Sequence, residues 1–172
     1  MKRAAFTLAE MVVATGLVLA LTGVVGGALW SVWRGFITGV ATAQATQSAA
    51  DAAEMIAHDL FSAPLRRVDD VAGQAGRYTF PVTQRRPTSR VVGRVSWSLT
   101  PAGTLTRDGT PALRGNHYTS FAILALSAAG PMAVEVEAED PARRARVKLR
   151  KLVDVPLLRQ RARFASGWEQ RS

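Results

Sequence analysis

Lys2-Arg3-Ala4-Ala5-Phe6-Thr7-Leu8-Ala9-Glu10 opens the chain and runs straight into Met11–Trp33, 23 residues without a formal charge. A short cationic head before an apolar run of this length predicts a helix able to cross a bilayer, which takes about 20 apolar residues. Glu10 stands at the mouth of that run. An ionised carboxylate beside hydrocarbon is unfavourable unless it meets a partner, so Glu10 is a candidate functional residue on charge alone. The positive-inside rule keeps Lys2 and Arg3 in the cytoplasm and sends the chain from about residue 34 onward across the membrane.

The helical pattern continues past the apolar run. No proline occurs before Pro64, and a proline disfavours helix in the residue before it. A helix from Phe6 to about Ala63 has 58 residues; at about 1.5 Å each it spans roughly 87 Å. Its first half, 6–34, suits a membrane. Its second half, 35–63, is amphipathic, with Phe36, Val40, Ala43, Ala50, Ala53, Ile56, Ala57 and Leu60 on one stripe. Thr38, Thr42, Gln44, Ser48, Asp51 and Asp59 are expected on the opposite, polar face. Within the apolar half Gly23 and Gly27 stand in a G-x-x-x-G spacing that permits close helix–helix approach. Glycine is also simply frequent in membrane helices, and Gly26-Gly27 is equally a place for the helix to loosen.

After Pro64 the texture changes to short alternating segments with turn signals. Arg77–Phe80 reads as a strand. Val91–Leu99 alternates through Val91, Gly93, Val95, Trp97 and Leu99, and Pro101-Ala102-Gly103 turns it into Thr104–Arg107 as a hairpin. Tyr118–Leu126 is a further strand, and Ala133–Glu139 with Arg146–Val155 forms a second hairpin around Asp140-Pro141. Gln74–Arg90, rich in Arg, Thr, Pro and Gln, reads as an irregular insertion. The expected fold class is therefore α+β: one long helix whose second half packs on a small antiparallel sheet formed by residues 64–172.

Phe6-Thr7-Leu8-Ala9-Glu10 behind a five-residue basic leader resembles the class III signal peptide of type IV prepilins and type II secretion pseudopilins. That family carries nearly always Gly before the cut; here the residue is Ala5. The resemblance implies that a prepilin peptidase removes residues 1–5 by cleaving between Ala5 and Phe6, and that the new amine of Phe6 is methylated. It implies that Glu10 pairs with the Phe6 amine of the same or a neighbouring subunit and sets the register of assembly. Breaking such a pair in a low dielectric strands the surviving charge. The implied shape is the pilin lollipop. The implied location is a single pass in the inner membrane with the globular domain outside the cytoplasm, then a pilus or pseudopilus. Other pilins or pseudopilins and the inner-membrane assembly platform are the implied partners, and no cofactor is implied. Val95-Ser96-Trp97-Ser98-Leu99 followed by Gly103-Thr104-Leu105-Thr106-Arg107, with Asp59-Leu60 near the helix end, is similar to J-type minor pseudopilins and W-type minor pilins.

Two other readings of the N-terminus compete. A single-pass envelope anchor of unrelated function also shows a basic head and an apolar run, but has no reason to place Glu10 four residues after Phe6. A secretory signal has an apolar core of about 7–15 residues and an A-x-A cut. Ala41-Thr42-Ala43 and Ala43-Gln44-Ala45 mimic such cuts, yet the run before them is too long.

The 172 residues contain no cysteine, so no disulfide staples the domain. Catalysis finds little foothold: there is no cysteine nucleophile and no nucleotide-binding glycine fingerprint. His58 with Glu54 and Asp59 reads as an exposed helical face rather than a metal cluster, and His117 as a histidine at a strand start. The expectation is a non-enzyme. Charge is uneven. Residues 143–172 hold ten Lys/Arg against Asp154 and Glu169, whereas residues 6–142 hold ten against eleven acids. Arg143, Arg144, Arg146, Lys148, Arg150 and Lys151 are thus a candidate patch for a partner subunit, for anionic lipid, or for DNA taken up by a competence pilus.

Overall fold

Thr7 and Glu10 start the helix reciprocally. The Thr7 amide donates to Glu10 Oε2 at 2.9 Å, and the Glu10 amide donates to Thr7 Oγ1 at 3.4 Å. This is a capping box, which satisfies donors that a helix start otherwise leaves open. The structure, a computed structural model, describes residues 7–65, 67–85, 90–113, 117–127, 131–156 and 158. The leader with its Ala5–Phe6 junction lies outside them. Helix α1 spans Leu8–Phe61, 54 residues, close to the expected bounds. It runs through two compact units, Met1–Val40 and Ala41–Ser172.

In the first unit α1 is long and apolar enough to cross a membrane. Thr15 and Thr22 donate their hydroxyls back to the carbonyls of Met11 and Val18, so these two hydroxyls are satisfied within the helix.

In the second unit the helix buries an alanine seam: Ala41, Ala45, Ala49, Ala52, Ala53, Ile56, Ala57, Asp59 and Leu60. Ala53, Ile56, Ala57 and Leu60 of the expected stripe are buried, but its first members, Phe36, Val40 and Ala43, are exposed, which corrects that half of it. At about 100° per residue, Ala41, Ala45, Ala49, Ala52 and Ile56 share one face, whereas Phe36, Val40 and Ala43 point the other way. Phe36 and Val40 are exposed accordingly. The covered face of the helix carries mostly small side chains, whereas ranking residues by apolar bulk picks the opposite side. Asp59 is also corrected: it lies three residues after Ile56 and seven after Ala52, on the buried face.

Among the described residues eight strands follow the helix: β1 (Ala72–Gln74), β2 (Arg77–Arg85), β3 (Arg90–Leu99), β4 (Leu105–Arg107), β5 (Thr110–Pro111), β6 (His117–Ala125), β7 (Met132–Glu139) and β8 (Arg146–Val153). They form two antiparallel sheets, β1-β2-β3-β4-β5 and β6-β7-β8. The fold is α+β, with one long helix packed against antiparallel sheets. Both expected hairpins form. Trp97 pairs with Arg107 and Leu99 with Leu105 in the first; Glu139 pairs with Arg146 in the second.

Among the described residues the irregular insertion expected over Gln74–Arg90 is overturned; residues 86–89 lie outside them. β2 runs through it and pairs with β3 as far as Arg85↔Arg90. Tyr78, Phe80 and Val82 alternate into the core, which gives the segment a buried face despite its polar composition. Pro81 fits because β1 pairs only as far as Thr79, so among the described residues one side of β2 carries no strand at that position.

Main-chain bonds join the two sheets: the Gly76 amide donates to the Phe121 carbonyl at 2.9 Å, and the Tyr118 amide to the Gly103 carbonyl at 2.8 Å. The core lies between the helix and the sheets, around Trp97, Tyr118, Phe80, Phe121, Ile56 and Leu60. Each large side chain buried there contributes about 1.5–3 kcal/mol. Tyr78 meets Phe121 edge-on at 5.1 Å across the sheet junction.

Candidate functional site

Three regions carry the residues singled out from the sequence, and the first lies in the N-terminal unit. No described residue from Thr7 to Val40 is buried. Glu10 Oε2 accepts from both the amide and the hydroxyl of Thr7, at 2.9 and 3.0 Å. Within the subunit the carboxylate is thus occupied by its own helix start. The Thr7-Leu8-Ala9-Glu10 spacing carried that signal in sequence, and reading Glu10 only as a charge beside hydrocarbon misses it. Gly23 and Gly27 face open space, with nothing beyond their own helix backbone and chain neighbours within 4 Å of where a Cβ would sit. Toward the end of the apolar run, Arg34 lies over the Trp30 ring at 5.8 Å, and Trp33 stacks near Phe36 with centroids 6.3 Å apart. Aromatic and cationic side chains of this kind anchor a helix at a membrane interface. Phe6, the implied methylation site and pairing partner of Glu10, is outside the described residues.

The second region is in the globular unit. Asp59, from α1, accepts three bonds: from Trp97 Nε1 at 3.0 Å, from Arg107 Nε at 2.8 Å and from Arg107 Nη2 at 3.1 Å. The hairpin register puts Trp97 and Arg107 opposite each other, so the two donors reach one carboxylate from adjacent strands. The bidentate fork matches carboxylate geometry. Asp59 is buried and the Arg107 side chain is 39% exposed, so the pair spans the protein surface. The hydrogen bond to Asp59, with its negative charge, holds the Arg107 guanidinium even more firmly protonated than usual, against the opposing effect of burial. An open depression of about 450 Å³ lies over this cluster, lined by Glu54, Met55, His58, Asp59, Trp97 and Arg107. Among the described residues no group of three His, Asp or Glu side chains is placed to hold a metal ion. Glu54 instead pairs with Lys151. Chemically the cluster is a clasp that fixes the helix end to the hairpin.

The third region is the candidate basic patch. The structure brings Arg146, Lys148 and Arg150 together on one face of β8, and on the adjoining β7 the same face carries Glu135, Glu137 and Glu139. Lys148 Nζ lies 2.7 Å from Glu135 Oε2, Arg150 Nε 3.6 Å from Glu135 Oε1, and Arg146 Nε 3.4 Å from Glu137 Oε1. The hydrogen bond from Lys148 draws the Glu135 carboxyl below its ordinary range. Lys151 is turned away from this ladder to Glu54 on the helix. Arg143 and Arg144 sit exposed in the β7–β8 turn, which Asp140 organises by accepting from the amides of Ala142, Arg144 and Ala145. A count of basic residues along the chain misses the ladder, because its carboxylates come from a different strand. Arg159, Arg161, Arg163 and Arg171, the rest of the C-terminal excess, are outside the described residues.

His117 opens β6. Its Nδ1 is buried 3.4 Å from Glu139 Oε2, and its ring packs against Gly103.

Compared with known proteins, the chain matches no family model, no curated protein and no solved structure.

Proposed function

We propose that the chain is a minor pilin or pseudopilin subunit, a structural component that assembles into, or primes, a type IV pilus or type II secretion pseudopilus. The observation that carries the reading is the contrast within one helix. From Leu8 to Val40 it is strongly apolar yet buries nothing, so it needs lipid or other helices around it. From Ala41 to Leu60 it buries an alanine seam in its own domain. A carboxylate at the start of the exposed half, one residue-turn after the expected new N-terminus, fits a helix that leaves the membrane to pack among copies of its kind. The clasp supports the minor-subunit reading, because Asp59, Trp97 and Arg107 come from the segments similar to J-type pseudopilins and W-type pilins. On this reading the protein acts by assembly rather than by catalysis.

The test is the N-terminus of the protein isolated from the envelope of cells with an active prepilin peptidase. Intact mass should report a chain that begins at methylated Phe6. A chain still beginning at Met1 defeats the reading in favour of an unrelated single-pass envelope protein, and one beginning at Gln44 or Thr46 defeats it in favour of a secreted domain.

A further inference from the structure

The outer face of the β6-β7-β8 sheet is ordered in rows by its register. One row is Leu124, Ala133 and Leu152; the next is Ala122, Glu135 and Arg150; then Ser120, Glu137 and Lys148; then His117, Glu139 and Arg146. The first row is apolar and open to solvent at its ends: Leu152 is 63% and Leu124 37% exposed, while Ala133 between them is covered. Leu126, just past the end of β6, is also exposed.

The charged rows balance in number but not in height. The side chains of Arg146, Lys148 and Arg150 are 57, 59 and 50% exposed, whereas Glu135 and Glu137 are 16 and 23% exposed. The long cationic side chains lie over shorter carboxylates, so an approaching surface meets basic tips beside an aliphatic row. Among the described residues β8 has a strand on one side only.

We infer that this face is a docking surface for an acidic, aliphatic patch on a neighbouring subunit of the same assembly, an inference that rests on the pilin reading. Charge complementarity selects the partner. Lys148 and Arg150 already share Glu135, so a further carboxylate extends a network in which each cation keeps its partner. Leu124 and Leu152 require an apolar counterpart, which a sugar–phosphate backbone does not present. Nucleic acid and anionic lipid, which also present negative charge, are separate outcomes of the experiment.

The experiment uses the full-length chain in its own envelope, with a photoreactive benzophenone amino acid at Leu152, and at Val92 as a control equally exposed on β3. Position 152 should give one discrete protein adduct and position 92 none. The cross-linked peptide should belong to another subunit with an apolar N-terminal helix and should hold Asp or Glu beside an aliphatic residue. Lys148→Gln with Arg150→Gln should lower its yield about tenfold, as for charges at an interface. Leu124→Ser, which leaves the charge ladder intact, should lower it too, and keeps the test valid if the double variant fails to accumulate. Adducts to lipid or nucleic acid alone, no adduct, or a yield unmoved by both variants overturns the inference. The N-terminus is read in the same sample. A chain beginning at Phe6 without the adduct overturns the docking surface alone, and a chain beginning at Met1 overturns the pilin reading with it.

Discussion

Asp59 Oδ2 accepts from Trp97 Nε1 at 3.0 Å and from Arg107 Nε at 2.8 Å, so one carboxylate near the end of the helix fastens both strands of the first hairpin. The two ends of the ion pair differ in exposure, and the cost of losing each differs with it. Arg107→Met strands a buried carboxylate with only Trp97 as partner and should destabilise the fragment from Gly35 onward by about 3–5 kcal/mol. Asp59→Asn leaves a guanidinium that can turn to water, and should cost only about 1.5–3 kcal/mol. The double variant should lose less than the sum, with a coupling of about 0.5–3 kcal/mol. Denaturant unfolding of the four proteins checks this; equal single losses that add without coupling would refute the clasp.

Gly103 is required by its turn twice over. Its φ is +77°, and a Cβ there would come within 2.4 Å of His117 Nε2. Gly103→Ala should therefore destabilise by about 2 kcal/mol or more, the left-handed backbone alone accounting for about 1–3 kcal/mol. Adding His117→Ala should recover the steric part and leave the backbone part. Thermal unfolding of the single and double variants separates the two, and no recovery would show that the ring is not the obstacle.

Acid should loosen the second hairpin. Burial opposes the charge on Asp140, but the amides of Ala145, Arg144 and Ala142 and the Arg144 charge outweigh it and hold the carboxyl below its ordinary value. A carboxyl lowered in the folded state contributes stability that is present above its unfolded pKa, about 3.9, and is lost as pH falls through the lower folded value. Unfolding midpoints measured from pH 7 down to pH 2 should show this loss below about pH 4. Asp140→Ala should be less stable at pH 7 and should lose less of its remaining stability over that acid range. A parallel pH profile in the variant would show that this carboxyl is not the group concerned.

Glu10 has two roles that substitution can separate. Glu10→Gln keeps a side chain able to close the capping box with Thr7, whereas Glu10→Ala removes it. Both variants should insert into the membrane as well as the natural chain or better, since each removes a charge from the apolar segment. If Glu10 sets register by pairing with the Phe6 amine, both should fail to enter filaments. Normal incorporation of Glu10→Gln with loss only in Glu10→Ala would assign the residue to helix initiation instead. Counting the subunit in sheared filaments decides between them.

Much of the architecture is legible along the chain. The charge-free run, the absence of proline before Pro64 and the return of period-two alternation after it specify a long helix followed by antiparallel strands. These are local signals, set by backbone sterics and by the period of each element. Both expected hairpins rest on the same kind of signal, since a Gly turn or an Asp-Pro turn separates two alternating runs. What the sequence by itself cannot rank is which face of an element another element will cover. Phe36 and Val40 outweigh Ala41 and Ala45 in apolar bulk, yet the helix buries the alanines, because burial follows the face that the rest of the domain covers and not the bulk of the side chain. Arg77–Arg85 looks polar because only Tyr78, Phe80 and Val82 matter to the core, and they count only once β3 lies alongside. Asp59 was a surface residue by polarity; two donors from strands about forty and fifty residues away make it a buried one. The charge excess at the C-terminus is a property of composition, but its meaning belongs to the tertiary structure. Register alone decides that Glu135 and Glu137 lie beneath Lys148, Arg150 and Arg146, and an electrostatic field follows distance in space rather than order along the chain.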